Sequence, residues 1–281
     1  GHSTIMGVFY GGGALEDDLT ASGVRLINLE KKGRWDSFAF LWRLLRTLRQ
    51  ERPEIVYSFL TGSNLLTGLM KPWLPGSKVV WGLRASNMDP TRYDWLIRLT
   101  VGLERRLAGR ADLIIANSQS GHDHAIAMGF PADRLRVVRN GINTQRFGPD
   151  RATGTQLRVE WGVITDQPLI GLVARLDPMK GHLTFFTAAA KLKTLQPDVR
   201  FVCVGDGPDH YRAKLMAETR RLGLEETLLW VGDRQDMPAV YNALDLAVSA
   251  SLFGEGVSNM LGEAMACGTP CVTTAVGDSA W

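Results

Sequence analysis

The sequence has little of what marks a disulfide-stabilised, metal-binding or membrane-spanning protein. Its 281 residues include three cysteines, Cys203, Cys267 and Cys271, an odd number without the spacing of a metal-ligand set. No apolar run reaches the ~18 residues that suggest a membrane span, and no signal peptide is visible. The net charge of +3 is too small to indicate a nucleic-acid partner. We therefore expect a cytoplasmic protein with no metal and no nucleic acid.

A dinucleotide-binding fingerprint is also absent. Gly11-Gly12-Gly13 follows the first predicted strand, but it lacks the G-x-G-x-x-G order and an acidic residue about 20 positions later. A dinucleotide-dependent oxidoreductase, a class that two parallel-sheet domains would suit, is therefore disfavoured and kept as an alternative.

The composition that is present is that of an ordinary globular protein, 45% hydrophobic and 22% charged, long enough for two domains. Short apolar runs alternate with longer amphipathic ones, which predicts strands joined by helices in parallel sheets. Glycine and proline weaken this pattern between 140 and 167, so we place a domain boundary near Pro149. The prediction is two doubly wound, Rossmann-like α/β domains, 1–149 and 150–281, facing each other across a cleft. Because both ends lie close to predicted strands, we expect the chain to be a piece of a longer protein.

Two predicted helices in the first domain carry arginine-rich faces. Within 35–51 the apolar face consists of Phe38, Leu41, Leu44, Leu45 and Leu48. Within 93–108 the polar side carries Glu104, Arg105 and Arg106, followed by Arg110. A solvated basic face is the simpler interpretation, and peripheral contact with an anionic membrane is the alternative.

One stretch organises the second domain. Glu255 lies in a glycine-flanked loop after a predicted strand, and Glu263 lies eight residues later in a predicted helix that begins near Asn259. The carboxyl edge of a parallel sheet is where ligands bind, and the amides of a helix N-terminus attract anions. Taken alone, the two residues could be surface glutamates. Beside a sugar or a ribose, they could accept hydrogen bonds from hydroxyl groups.

A second motif places cations at the same predicted edge. Arg175 and Lys180 flank a turn between a buried strand and a helix, where both could reach an anion. Gly205-Asp206-Gly207-Pro208 forms a further turn at a strand end. By spacing alone, solvated loop charges explain Arg175 and Lys180 equally well, and an ordinary turn is the simpler interpretation of Gly205 and Gly207.

Together these segments resemble the nucleotide-sugar-binding domain of the group 1 (family 4) retaining glycosyltransferases, which have the two-domain GT-B fold. The resemblance lies in 173–181, 204–208, 231–238 and the two-glutamate stretch 255–270. The first half matches more loosely, ending in Asn140-Gly141-Ile142-Asn143. The family has a further strand before the first and a helix after the last of these segments, and neither is found here.

The resemblance implies roles for the motif residues. Arg175 and Lys180 would stabilise the departing nucleoside diphosphate, and Glu255 would face the transferred sugar. Glu263 would hold the ribose hydroxyls. The other implied donor-binding residues are Gly205, Gly207, Val231, Gly232, Gly256, Ser258, Asn259 and Met260. No cofactor is implied beyond a UDP- or GDP-linked donor, and no metal.

The acceptor side is less defined. The loop that follows the strand near residue 83 offers Arg84, Ser86, Asn87 and Asp89, and Asn117 follows another strand. We take Arg84, Asn87 and Asn117 as acceptor-side candidates for a carbohydrate or lipid-linked acceptor. The function predicted is metal-independent sugar transfer with retention, in polysaccharide or glycolipid biosynthesis. The alternative outside catalysis is a nucleotide-sugar-binding module that is inactive because it is truncated.

Overall fold

The computed structural model describes residues 3–13, 15–33, 36–84, 95–164 and 166–281. Its contacts divide the chain into two units. The first consists of Gly1–Gly82 and Leu99–Ile114, and the second of Leu83–Arg98 and Ile115–Trp281. In both units short strands alternate with helices.

The described strands are β1 (Ile5–Val8), β2 (Arg25–Asn28), β3 (Ile55–Phe59), β4 (Lys78–Leu83), β5 (Leu113–Ala116), β6 (Leu135–Val137), β7 (Leu169–Val173), β8 (Arg200–Val204), β9 (Leu228–Gly232), β10 (Leu246–Ser249) and β11 (Cys271–Thr273). The helices are α1 (Glu16–Ala21), α2 (Ser37–Glu51), α3 (Thr61–Met70), α4 (Trp95–Leu107), α5 (Gln119–Ala127), α6 (Arg151–Glu160), α7 (His182–Leu195), α8 (Asp209–Arg221), α9 (Met237–Ala243) and α10 (Asn259–Ala266). Within the described ranges, no helix is long and apolar enough to cross a bilayer.

The strands form three sheets, in the orders β1-β2, β3-β4-β5-β6 and β11-β10-β7-β8-β9. Pairing is parallel between β1 and β2, between β3 and β4, and throughout the five-stranded sheet. Parallel neighbours need a crossover connection, which the intervening helices supply. The prediction of parallel α/β sheets is confirmed.

Apolar residues on both faces of the five-stranded sheet explain why its strands read as continuous hydrophobic runs. Along β8, Phe201 and Cys203 pack into one buried cluster with Phe185, whereas Val202 and Val204 pack into the other. Successive strand side chains point to opposite faces, so both faces are covered. This is the doubly wound arrangement.

Helix α2 covers the β1-β2 sheet with the predicted face except at one edge: Leu41, Leu44, Leu45 and Leu48 pack there as predicted, and Phe38 does not. Phe40 and Leu44 are buried with Leu29, whereas Phe38 is 90% exposed. Phe38 and Phe40 flank opposite edges of the same apolar stripe, and the neighbours from β2 select Phe40. An apolar cavity of about 410 Å³ lies between β1 and β3, which belong to different sheets of this unit.

Glu104 is also placed differently from the prediction, which put it on the polar side of α4. It is buried, and Asn64 Nδ2 donates to its Oε1 at 2.9 Å. Burial raises the pKa of this carboxyl above its ordinary value. Ser58 Oγ donates to Asn64 Oδ1 at 2.8 Å, so the carboxyl belongs to a buried polar network.

The sequence indicates only a turn of helix at 156–161, whereas α6 already begins at Arg151 and runs to Glu160. Asp150 caps it, accepting from the amides of Ala152 at 3.1 Å and Thr153 at 3.2 Å. Gly154 weakens the helical pattern in the sequence, but packing requires a glycine there. A Cβ at this position would lie 2.3 Å from the Asn242 carbonyl oxygen of α9.

The sequence places Asp112 and Asp245 at strand starts, which indicates structural roles, and the contacts of both residues agree. Asp112 accepts from the Val79 amide at 2.8 Å, and Asp245 accepts from the Leu169 amide at 2.7 Å. Each carboxylate therefore ties its own strand to a neighbouring one.

Candidate functional site

A cavity of about 240 Å³ opens at the carboxyl ends of β7 and β10. Its walls come from the end of β7, from β10 and the residues after it, and from the loop that leads into α10. The predicted site residues among its lining are Lys180, Glu255, Ser258, Asn259 and Met260. The structure thus brings together residues from two motifs that are 75 positions apart in the chain.

The turn that carries Lys180 is fixed from both sides. Asp177 Oδ1 accepts from the Met179 amide at 2.9 Å, which starts a single 3-10 turn. Gly181 then adopts φ +67°, and a Cβ there would lie 1.8 Å from the Ala250 carbonyl oxygen. Only glycine combines this backbone conformation with so close an approach to the end of β10.

Lys180 and Glu255 form an ion pair through Nζ and Oε1. Ser251 Oγ donates to the same carboxylate oxygen at 2.7 Å. The Lys180 side chain is 21% exposed and that of Glu255 is 9% exposed. Because both charges are largely withdrawn from water, each depends on the other for stabilisation.

The N-terminus of α10 forms another wall. Ser258 is the residue at the N-cap position, and its side chain makes no capping hydrogen bond. The helix carries partial positive charge at this end, where its first amides have no intrahelical partners. Together with Lys180, these amides make the cavity attractive to an anion.

Other predicted donor residues lie outside this cavity on neighbouring parts of the sheet. Arg175 is exposed, and its Nη2 lies 3.1 Å from Asp177 Oδ2. The Gly205 amide donates to the Gly232 carbonyl at 2.7 Å, which joins the turns after β8 and β9. Val231 packs against an apolar cluster, and Gly207 lies against Leu176.

Glu263 lies on α10, outside the cavity lining, and is held by a residue that the sequence did not indicate. Tyr241 Oη donates to Glu263 Oε2 at 2.7 Å. Burial, with the carboxylate beside it, raises the pKa of Tyr241 well above its ordinary value, so the phenol stays a donor. The bond orients one carboxylate oxygen and leaves Oε1 for another partner.

Two acceptor-side candidates lie beside this loop and helix. Arg84 Nη1 donates to Asn140 Oδ1 at 2.7 Å, and Asn140 Nδ2 donates to Asn259 Oδ1 at 2.8 Å. Asn117 is buried, and its Oδ1 has no hydrogen-bond partner among the described residues. A Cβ on Gly256 would lie 2.5 Å from that oxygen. Asn87, with Ser86 and Asp89, lies outside the described residues.

Sequence reasoning missed four residues of this region: Ser251, Asn140, Tyr241 and Asp278. Ser251 and Asn140 stand inside motifs already identified, so polar residues flanking a motif are a usable signal. Tyr241 lies in α9, 22 residues from its partner, and nothing in the local pattern marks it.

His182, the first residue of α7, is fully buried next to the Lys180 turn. Burial lowers the pKa of its imidazole to about 4, so the ring is neutral at physiological pH. Across the described residues, no group of three or more His, Cys, Asp or Glu side chains could hold a metal ion.

Parallel α/β sheets, and a cavity between Lys180 and the N-terminus of α10 that attracts anions, are typical of α/β proteins that bind nucleotides. Family models narrow the class: "Glycosyl transferases group 1" matches residues 167–280, and "Glycosyl transferase 4-like domain" matches residues 2–141. The chain belongs to the group 1 glycosyl transferases.

Curated relatives agree with the family. The chain is 23% identical over 269 residues to the putative glycosyltransferase EpsF of Bacillus subtilis (strain 168), covering 92% of this chain and 67% of EpsF. It is 32% identical over 185 residues to the D-inositol 3-phosphate glycosyltransferase of Mycobacterium sp. (strain KMS), covering 62% of this chain and 39% of that protein. The match thus spans about two-fifths of the mycobacterial protein.

Solved structures confirm the GT-B fold class. Anabaena HepE in complex with UDP-glucose aligns with a TM-score of 0.86 at 24% identity, over 98% of this chain and 74% of HepE. Sucrose-phosphate synthase from Thermosynechococcus elongatus aligns with a TM-score of 0.77 at 17% identity, over 98% of this chain and 72% of that protein. At these identities the likeness concerns the fold.

Proposed function

We propose that this chain transfers a sugar from a nucleoside-diphosphate sugar to an acceptor with retention of anomeric configuration. The observation that carries the proposal is the cavity in which Lys180, Glu255 and the α10 N-terminus meet. A cation and helix amides suit a diphosphate, and a carboxylate beside them suits sugar hydroxyls. The complex of HepE with UDP-glucose makes UDP-glucose the first donor to test.

The proposed chemistry follows the charge. The bond between the sugar C1 and the diphosphate oxygen breaks, and its electron pair stays on the diphosphate. The acceptor oxygen bonds to C1 from the same face, and its proton passes to the departing phosphate oxygen. Lys180 Nζ and the α10 amides are positioned to stabilise the negative charge as it develops, with Arg175 reaching in from the exposed edge.

In this proposal Lys180 exchanges partners when donor binds. Its ammonium moves from the Glu255 carboxylate to the diphosphate, and Glu255 then accepts hydrogen bonds from the transferred sugar. Glu263, oriented by Tyr241, accepts from the ribose hydroxyls through Oε1. The turns at Gly205, Gly207, Val231 and Gly232 lie toward the nucleoside.

Binding by calorimetry tests the donor site. UDP and GDP are titrated into the wild type, Lys180→Ala and Lys191→Ala, a control at an exposed lysine on α7, the helix that follows the Lys180 turn. We expect one nucleotide to bind the wild type and the control equally, and Lys180→Ala at least about tenfold more weakly. Tight NAD binding without nucleoside diphosphate binding would overturn the proposal in favour of an oxidoreductase. Donor binding without transfer or donor hydrolysis would instead favour a binding module.

We also propose that the reaction needs neither a divalent ion nor any cofactor besides the donor. The support is that Lys180, Arg175 and the α10 amides supply the positive charge that a metal would otherwise bring. Transfer is measured in EDTA and in Mg²⁺, with equal rates expected. Loss of activity in EDTA that Mg²⁺ restores would contradict this part.

The acceptor is proposed to be a carbohydrate or lipid-linked molecule, reached by cytoplasmic protein in peripheral contact with a membrane. The three cysteines are unpaired, which suits a reducing compartment. On α2, Phe38 and Trp42 are exposed, and the Arg46 guanidinium stacks 5.2 Å from the Trp42 ring centroid. Apolar and basic side chains on one helix suit an anionic surface.

Vesicle flotation tests the membrane contact. At low salt the wild type is expected to bind vesicles containing phosphatidylglycerol and not pure phosphatidylcholine. Phe38→Ser/Trp42→Ser should reduce that binding. No flotation with the anionic vesicles would count against the contact while leaving the donor site untouched.

A further inference from the structure

Asp278 joins two segments that carry proposed site residues. Its Oδ2 accepts from the Gln119 amide at 2.7 Å, and its Oδ1 accepts from the Ser120 amide at 2.8 Å. Those amides begin α5, two and three residues after Asn117. The Asp278 side chain is only 7% exposed, so its carboxylate is largely withdrawn from water.

The Asp278 backbone faces the opposite way, toward the donor loop. Its amide donates to the Gly256 carbonyl at 2.9 Å. Gly277, at φ +61°, allows this approach, because a Cβ there would lie 2.3 Å from the Glu255 carbonyl oxygen. One residue therefore bonds the loop beside Glu255 through its backbone and the start of α5 through its carboxylate.

Further contacts hold this bridge in place. Arg139 Nε lies 3.6 Å from Asp278 Oδ2, and the Arg139 guanidinium stacks 3.9 Å from the Trp281 ring centroid. Ser118 Oγ accepts from the Gly121 amide at 2.9 Å, so the first turn of α5 is capped independently of Asp278. The helix thus has its own cap, and the Asp278 contact is a second one supplied from a distant segment.

We propose that Asp278 is a positioning residue that sets the distance between Glu255 and Asn117, and with it the space for the transferred sugar. The inference rests on the proposed function. Gly256 lies against the Asn117 side chain, so a shift of this loop changes how the donor sugar meets the acceptor side. Among the described residues, no hydrogen bond or ion pair joins Asp278 to Lys180 or to the α10 amides, which would hold the diphosphate.

The prediction is therefore a split between two ligands. In Asp278→Ala, affinity for UDP should stay within about twofold, because the diphosphate contacts are intact. Affinity for UDP-glucose should fall about tenfold, the scale of a lost charge-assisted contact. Asp278→Asn keeps one acceptor oxygen, so its affinity for UDP-glucose should lie between those of the wild type and Asp278→Ala. Where turnover is measurable, kcat should fall more than KM changes.

Calorimetry with UDP and UDP-glucose on the wild type, both variants and Asp133→Ala, an exposed control, makes the test. Amide hydrogen exchange should be faster at Gln119 and Ser120 in Asp278→Ala, which verifies that the bridge is broken. An equal loss for both ligands, or no loss for either, would overturn the inference. A wild type that binds neither ligand would instead refute the proposed function. If the wild type binds another UDP- or GDP-linked sugar more tightly, that sugar and its free nucleotide replace the pair.

Discussion

The pairing of Lys180 with Glu255 predicts that the two charges are strongly coupled. Lys180→Met leaves the Glu255 carboxylate, which is 9% exposed, without its ion-pair partner, while the Ser251 hydroxyl still donates to it. Breaking a fully buried pair costs about 3–5 kcal/mol, so for this partly exposed one we expect about 2–3 kcal/mol of stability to be lost. Glu255→Gln keeps an acceptor for the less buried ammonium and should cost about 1 kcal/mol. The double variant should lose less stability than the sum of the losses in the two single variants.

Urea unfolding of the four proteins gives the coupling energy directly, and we expect about 1–2 kcal/mol. UDP titration of the same proteins separates the roles of the two residues. Lys180→Met should bind UDP at least about tenfold more weakly, because it lacks the cation. Glu255→Gln should bind UDP several-fold more tightly, because Lys180 no longer has a competing carboxylate, while losing sugar transfer. Additive stabilities within about 0.5 kcal/mol, or weaker UDP binding by Glu255→Gln, would refute the reasoning.

Three further predictions concern single residues around the site. The folded-state pKa of His182, about 4, lies below the ordinary 6.5, so the unfolded chain takes up the proton first as pH falls. The neutral His182 ring therefore contributes fully to the free energy of unfolding above about pH 6.5, and this contribution is lost as the pH falls toward 4. His182→Leu should remove about 3 kcal/mol of the acid-induced loss of stability, and identical profiles of stability against pH for the two proteins would contradict this. Gly181→Ala should destabilise far more than Gly223→Ala, since both have positive φ but only position 181 meets a backbone oxygen; equal losses in thermal unfolding would count against it. Tyr241→Phe should weaken UDP binding through Glu263 and leave 2′-deoxy-UDP less affected, and an equal effect on both would exclude the ribose role.

The fold was predictable because its signals are local. The strands β7 and β8 are buried on both faces, so short continuous apolar runs bounded by turn residues mark them in the sequence. The sequence predicts a strand at 78–83 and a helix at 237–243, and these are the bounds of β4 and α9. The length of helix α6 was underestimated because Gly154 is needed for close packing against the backbone of α9, and the sequence around Gly154 does not show this contact.

Side-chain placement at the edge of a helix face was less predictable. Helical spacing defines a stripe, but Phe38 and Phe40 lie at its two edges, and contact with Leu29 decides which is buried. Glu104 looks solvated beside two arginines, and only Asn64, 40 residues earlier, explains its burial.

In the candidate site, too, local features were predictable from the sequence and contacts between distant segments were not. The turn with Lys180 and the loop with Glu255 each carry a local motif, so both could be named in advance. Their ion pair, the Tyr241 contact and the Asp278 bridge join segments 75, 22 and 158 or more residues apart. Such contacts depend on how strands are ordered in the sheet, which motif spacing does not encode.

The stereochemistry of transfer tests the central claim most directly. The donor is UDP-α-glucose or whichever nucleotide sugar binds best. Proton NMR of the sugar that is transferred or released from it shows the configuration at C1 of the first product, before any free sugar can mutarotate. Retention predicts that the product keeps the C1 configuration of the donor, which is the α anomer from UDP-α-glucose, and that it forms equally fast in EDTA. A first product with the inverted configuration, the β anomer from UDP-α-glucose, would contradict retention.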